Sequence, residues 1–561
     1  MPCRNLSCLA ILESGLSGPV EDRKSPMRLR LSPVATARLR DRADLMMLHA
    51  TPAPLLARLS PGIPGMTQEM TEEGQDVVSS QTGAPATRSN ATPEPPTMKL
   101  HLAAKASHLL LIALAGAFML LLSPAARAVP SYARQTGMNC IACHTEFPLL
   151  TEFGRQFKLN GYTLSTGQTK LPPIAFMLQP SFTQTNKGQP GGAAPHFANN
   201  SNVALSQASA FYAGRLFGPY AENLFGPSVG GFLNKFGTFG QVTYDGVAQT
   251  IHWDNVEIRY ADTKTLLSKP VTFGFYTNNN PGMQDPWNGS PVWGFPFSSS
   301  SLAPTPGADT LINGGLAQQV LGVGAYAMFN NTFYLDIAGY HTLSTQFQHA
   351  MGIDPTDETD VPGIAPYWRF AYAKAAGNHA FQVGIFGMTG RTYPGRDSSA
   401  GKDRITDWGL DSEYQISFGK SDVTLLASAI YERETWSASQ RLGNTANTSD
   451  HLWTAKATVD YLYDKTYGGA ISYFWDTGSR DPALYSESAT GSPLSDGLVL
   501  QLNYMPLNKN GGPSFWPKSN VKFSVQYVIY NRFNGARNNF DGAGRNAKDN
   551  NTLYAEAWFA F

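Results

Sequence analysis

The clearest pattern in the chain is a strict alternation of apolar and polar positions from Trp453 to Tyr463. Trp453, Ala455, Ala457, Val459 and Tyr461 share one face, and Thr454, Lys456, Thr458 and Asp460 share the other. A period of two belongs to a β-strand, because successive side chains leave opposite faces of the pleat. Val521, Phe523, Val525 and Tyr527 alternate with Lys522, Ser524 and Gln526 in the same way. Val423, Leu425, Ala427, Ala429 and Tyr431 form another row. At the C-terminus, Leu553, Ala555, Ala557, Phe559 and Phe561 lie on one face, with Glu556 on the other.

About sixteen such segments follow one another, each near the length that crosses a bilayer at a tilt. They start near Pro173, Asn202, Lys235, His252, Pro270, Gln319, Asn331, Tyr367, Ala380, Ile405, Asp422, His451, Thr466, Asp496, Asn520 and Asn551. From the fifth segment onward most connections alternate long and short. Residues 281–318, 343–366, 437–450, 478–495 and 534–550 are long and polar or rich in Gly and Pro, whereas Asn330-Asn331, Gly419-Lys420 and Asp464-Lys465 read as tight turns. Long outer loops with short periplasmic turns characterise outer-membrane barrels. Two connections depart from the rule: the one near 218–234 is too long and the one near 250 too short, which leaves the strand count open by two. A soluble sandwich or propeller is the rival all-β reading. The aromatics gather near segment ends, as in Tyr461, Tyr463, Tyr473, Trp475, Tyr527 and Tyr530, which suits membrane interfaces. No repeat of propeller length is visible. The expected fold is therefore an all-β membrane barrel of about sixteen antiparallel strands over 173–561.

The residues before the barrel divide into three. Met98 to Ala128 reads as a signal peptide, with Lys99 and Lys105 before an apolar Leu109–Leu122 and a small-x-small site at Ala126-Arg127-Ala128. Residues 1–97, rich in Arg, Pro, Ser and Thr, read as a mis-assigned start or a disordered leader; a cytoplasmic extension is the alternative. Residues 129–172 are too few for a domain of their own. Lys and Arg balance Asp and Glu at 42 each. No basic footprint points to a nucleic-acid partner.

The chemistry lies in Cys140-Ile141-Ala142-Cys143-His144. C-x-x-C-H is the attachment site of a c-type haem. Two thiols on one helical turn can form thioethers to both vinyl groups, and the histidine after them can bind the iron from the proximal side. Of four cysteines, Cys3 and Cys8 lie before the signal, so no disulfide competes for the pair. Half a zinc site is the rival, but zinc needs a second ligand cluster and none exists. Thr145 to Lys158 carries Phe147, Leu150, Phe153 and Phe157 at helical spacing, with Asn160-Gly161 as a stop. One helix cannot enclose a haem, so this segment is expected to enter the barrel lumen from the periplasmic side. The sixth iron ligand is open. Met138 lies too close before the motif to fold over the far face. Met177, His196, His252, His341, His349, His379 and His451 lie in the barrel or its loops, and water or an open position competes with them.

Ala133-Arg134-Gln135-Thr136-Gly137-Met138-Asn139 leads into the haem motif, and Phe153-Gly154-Arg155-Gln156-Phe157-Lys158-Leu159-Asn160-Gly161-Tyr162 follows it. With a barrel ending in Phe, the chain resembles the fused monohaem cytochrome–porins of the bacterial outer membrane. The resemblance is specific mainly over residues 131–162. It implies one covalent haem c on Cys140 and Cys143, with His144 on its iron. It also implies electron transfer from extracellular Fe(II) to a periplasmic cytochrome or copper protein, in contact with outer-membrane lipid. If the protein is an enzyme, it is then an Fe(II):cytochrome oxidoreductase. Asn280-Pro281-Gly282-Met283-Gln284-Asp285-Pro286-Trp287-Asn288, ending Trp293-Gly294-Phe295-Pro296, also looks family-like. It could fold inward and constrict the lumen, or form a rigid outer loop. Lumen acids such as Glu257, Asp460 or Glu556 could attract Fe(II), or simply line a polar interior. Competing functions are a solute porin whose haem is a plug or sensor, a conduit for a donor other than iron, and a haem peroxidase.

Overall fold

Sixteen strands pair in sequence order and close on themselves, β1 with β16, every pair antiparallel. They are β1 Ile174–Thr185, β2 Asn202–Arg215, β3 Phe236–Asp245, β4 Thr250–Leu266, β5 Lys269–Asn278, β6 Val320–Phe329, β7 Phe333–Thr342 and β8 Ala365–Ala376. The second half comprises β9 His379–Thr392, β10 Asp403–Phe418, β11 Ser421–Thr435, β12 Ser449–Tyr463, β13 Tyr467–Gly478, β14 Ser495–Tyr504, β15 Asn520–Arg532 and β16 Thr552–Ala560. Each begins within two residues of its predicted start. This computed structural model describes residues 131–146, 148–166, 172–288, 298–354, 360–511 and 519–561, all within the compact unit Ala104–Phe561. The leader 1–97, the signal peptide 98–128, Phe147 and Trp293–Pro296 lie outside the described residues.

The strands are apolar outward and polar inward, the reverse of a soluble sheet. On β12, Trp453, Val459, Tyr461 and Tyr463 are exposed while Thr458 and Asp460 are buried. On β15, Phe523 and Val525 face out while Lys522, Ser524 and Gln526 face in. This arrangement needs lipid outside, and closure leaves no unpaired strand edge there. The architecture is that of a porin-like outer-membrane barrel. Among the described residues no helix is long and apolar enough to cross a membrane.

Aromatic contacts ring the end that carries the short turns. Tyr467 and Tyr504 stack at 5.4 Å, Tyr504 meets Phe523 at 6.4 Å, and Phe523 meets Phe559 at 6.4 Å. The terminal Phe561 exchanges backbone hydrogen bonds with Phe176, at 2.7 and 3.0 Å, and its ring lies 6.4 Å from that of Phe176. The last residue thus seals β1 to the end of the chain.

Both irregular connections are real features, and the count of sixteen stands. The tight connection between β3 and β4 is residues 246–249 at the long-loop end. The long one between β2 and β3 holds an apolar helix, Ala221–Leu233, kinked at Gly226-Pro227, at the short-turn end. The long β5–β6 connection turns inward at its start, and residues 279–288 are buried throughout. Of the two readings of this motif, the inward one holds for Asn280–Asn288.

Candidate functional site

Among the described residues, three short helices precede the barrel: α1 Ser131–Thr136, α2 Cys140–Cys143 and α3 Glu152–Leu159. Helix α3 is shorter than the helix expected from Thr145. The reason is local. The chain reverses between His144 and Leu150, where Thr145 N–H donates to the Leu149 carbonyl at 3.1 Å, and Pro148 sits in that turn, where it supplies no N–H for a helix. Thr151 then starts α3 as its N-cap, its side chain accepting from Gly154 N–H at 3.1 Å. The expected stop is met, with Asn160 as C-cap.

Thr151 also ties α3 to the cysteine turn. Its hydroxyl donates to the Ala142 carbonyl at 2.7 Å, and its N–H donates to the Cys143 carbonyl at 2.9 Å. His144 N–H donates to the Cys140 carbonyl at 3.0 Å, so the two thiols and the imidazole share one turn. All three side chains line one cavity of about 510 Å³. That volume falls within the roughly 300–1,000 Å³ usual for cofactor-sized sites. Its wall near the motif is apolar, with Phe157, Met177, Phe211, Phe239 and Met283.

This site fits a c-type haem. One edge of His144 opens on the cavity, while Nδ1 is enclosed and makes no hydrogen bond among the described residues; the Pro148 and Leu149 carbonyls lie beside it. A nearby carbonyl is the usual support for a ligating imidazole. Burial pushes His144 down to about 4, which keeps the ring neutral at pH 7 and able to bind iron. Burial, with the Cys140 thiol beside it, pushes Cys143 up to about 11. Both thiols are free and half-buried, without a disulfide between them.

Polar contacts hold the segment against inward-facing strand residues. Arg155 Nη1 donates to Glu413 Oε1 at 2.7 Å and to Gln415 Oε1 at 3.1 Å on β10. Arg259 on β4 donates to the Lys158 carbonyl at 2.9 Å and pairs with Glu257 at 2.8 Å. Its guanidinium also lies 5.5 Å from the Tyr162 ring, 5.9 Å from Tyr276 and 5.1 Å from Tyr326. Each such contact is worth up to about 2 kcal/mol when desolvated. Lys158 Nζ donates to the Asp285 carbonyl and to Asn288 Oδ1, both at 2.6 Å, which clamps the inward-folded loop onto α3.

The sixth-ligand candidates separate cleanly. Met138 and Met177 line the cavity, whereas His196, His252, His341, His349, His379 and His451 do not. Met283, on the inward loop and 2% exposed, lines it as well. Sequence reasoning passed over Met283, although the motif that contains it was visible. Arg259 was missed because its role depends on contacts distant in sequence. Of the three lumen acids, Glu257 is closed off by Arg259, and Asp460 is buried on β12 outside this cavity; only Glu556 lines it.

No family model and no curated protein matches the chain. Solved barrels do. The outer membrane channel DcaP of Acinetobacter baumannii is 9% identical, with a TM-score of 0.37 over 69% of this chain and 96% of its own. An anion-selective porin from Comamonas acidovorans is 8% identical, with a TM-score of 0.37 over 69% and 98%. Outer-membrane expressed OmpT of Vibrio cholerae is 10% identical, with a TM-score of 0.33 over 69% and 97%. The barrel assignment itself rests on strand pairing.

Proposed function

We propose that this protein carries electrons across the bacterial outer membrane through one c-type haem held in the barrel lumen. The observation that carries this reading is that Cys140, Cys143 and His144 share one turn and line one apolar cavity inside a closed barrel. Cys140 and Cys143 would hold the macrocycle, and His144 would bind its iron. When bound, the haem supplies a one-electron ferric/ferrous couple. Phe157, Phe211 and Phe239, which line the cavity, would exclude water from it, and Thr151 keeps the cysteine turn in place. The short-turn end faces the periplasm and the long loops face outward. Extracellular Fe(II) is the donor on this reading, and a periplasmic cytochrome or copper protein is the acceptor. Reaction class and donor both follow from the resemblance over residues 131–162.

The test is anaerobic mixing of the purified, oxidised protein with Fe(II), followed through the haem absorption bands against dithionite as full reduction. Fast, complete reduction is expected. Reduction by dithionite alone sinks the iron assignment. A protein whose denaturing gel shows no covalent haem, or shows it equally in Cys143→Ser, overturns the haem itself.

The second reading is a solute porin in which the haem segment is a plug or sensor. A specific observation favours it: a further lumen cavity of about 480 Å³, lined by charged residues including Asp309, Lys456 and Asp476, borders the first at Ser299. Steady ion conductance through the intact protein, with no reduction by Fe(II), is its signature.

A further inference from the structure

We infer that the outer, polar half of the haem-side cavity docks a hydrated divalent cation, with Glu556 as the positioning residue. The inference rests on the electron-transfer reading and names where the donor stands.

Strand register gives the cavity a direction. Near the short turns, Met177 on β1 lies opposite Ala560 on β16; further toward the long loops Ser181 lies opposite Glu556, and then Thr183 opposite Tyr554. On β2, Ser209 is level with Met177 and Gln207 with Gln179. The wall therefore turns from largely apolar beside the cysteine turn, where Gln241 is level with Phe211, to polar further out, where Gln179, Gln207, Tyr554 and Glu556 face the cavity. The serine run Ser298–Ser301 crosses this outer side. Ser300 bonds Thr183 at 2.5 Å, and Gln526 donates to the Ser298 carbonyl at 2.9 Å.

Glu556 is 5% exposed. The Tyr554 hydroxyl donates to its Oε2 at 3.1 Å. Its Oε1 is enclosed and has no hydrogen-bond partner among the described residues, and neither does the Ser298 hydroxyl at the same cavity. A buried carboxylate oxygen without a donor costs free energy, and a ligand bringing both donors and positive charge removes that cost. Asp254 differs, because Gln318, Asn255 and Thr243 already donate to it. Among the described residues no group of three His, Cys, Asp or Glu stands close enough to hold a bare metal ion. A cation that keeps its water shell fits instead. Its waters donate to Glu556 and to the amide oxygens around it, as hard divalent ions with oxygen ligands commonly allow.

The experiment uses the full protein in its oxidised, haem-loaded form and titrates Mn(II), reading the free-ion signal by electron paramagnetic resonance. The expected result is one ion bound by the wild type and binding at least about tenfold weaker in Glu556→Gln. Asp460→Asn, which removes a lumen carboxylate outside this cavity, should bind within about threefold of the wild type. Unheated and heated gel migration identifies folded barrels in each case; if Glu556→Gln fails to fold, Glu556→Asp takes its place with the same expectation of weakened binding. Equal binding by wild type and the Glu556 variant overturns the inference. Reduction by Fe(II) separates the two claims. Should Mn(II) bind through Glu556 while Fe(II) reduces neither protein, the docking site stands and the electron-transfer reading falls. If Fe(II) reduces wild type and variant at one rate and Mn(II) ignores the substitution, the docking site falls and electron transfer stands.

Discussion

At the scale of single residues, the site depends on a close approach at Gly154. A Cβ there would stand 2.2 Å from the Cys143 carbonyl oxygen, so only glycine lets α3 press against the cysteine turn. Overpacking at such a contact costs about 1–3 kcal/mol in cores. Here the strain falls on the turn that presents both thiols. Gly154→Ala should therefore lower covalent haem loading by at least about half, read as haem stain per protein on a denaturing gel. Gly231→Ala, where a Cβ meets nothing within 4 Å, should load normally. Equal loading in both variants would show that the cysteine turn does not depend on this contact.

At the scale of elements, α3 acts as a hub between strand wall and inward loop. Lys158 carries the loop contact, and burial pushes its amine down to about 7, with Arg259 adding to the shift and Asp285 opposing it. The sign follows from linkage. The folded value lies below the ordinary 10.5, so between about 7 and 10.5 the unfolded chain holds the proton that the folded one has released. Stability thus rises with pH across that window, and below it burial of the ammonium is a constant penalty. Relative to Lys158→Met, the wild type should gain melting temperature as the buffer moves from pH 7 to about 10. Parallel curves for the two proteins would refute the assignment. The neutral amine keeps two N–H donors for Asp285 and Asn288, so the clamp survives the loss of charge.

At the scale of the whole molecule, the barrel is narrowed from both directions. Arg155 and Lys158 of α3 meet inward-facing strand residues near the short turns, and 279–288 reach in from the long-loop end to meet α3 at Lys158. Trp287, 4% exposed, packs edge-on against Tyr334 at 5.5 Å, which anchors the loop inside. Deleting residues 281–288 should raise single-channel conductance in a planar bilayer by at least about twofold. An unchanged conductance would mean that the loop does not set the constriction.

The barrel was legible in the sequence because its determinants are local. Period-two alternation assigns each residue to lipid or lumen, and a strand such as 453–463 declares both faces within eleven positions. The shared turn of Cys140, Cys143 and His144 was legible for the same reason, since two thiols and an imidazole on one turn are adjacent in sequence. Helix α3 was placed too early because apolar spacing from Phe147 ignored what Pro148 and Thr151 do to the backbone. The strand pattern could not say which lumen groups meet. Glu257, Asp460 and Glu556 look alike as inward acids on alternating strands. Neighbours two positions away on the same strand, and place along the lumen, set them apart: Arg259 pairs with the first, the second lies outside the cavity at the cysteine turn, and Tyr554 meets the third at one oxygen. Sequence alone thus determined which way each side chain points and which turn bears the cysteines, both being short-range properties of the backbone. Tertiary structure alone decided which loop folds inward and brings Met283 to the cavity, since that depends on contacts such as Lys158 with the Asp285 carbonyl, 127 residues away in the chain.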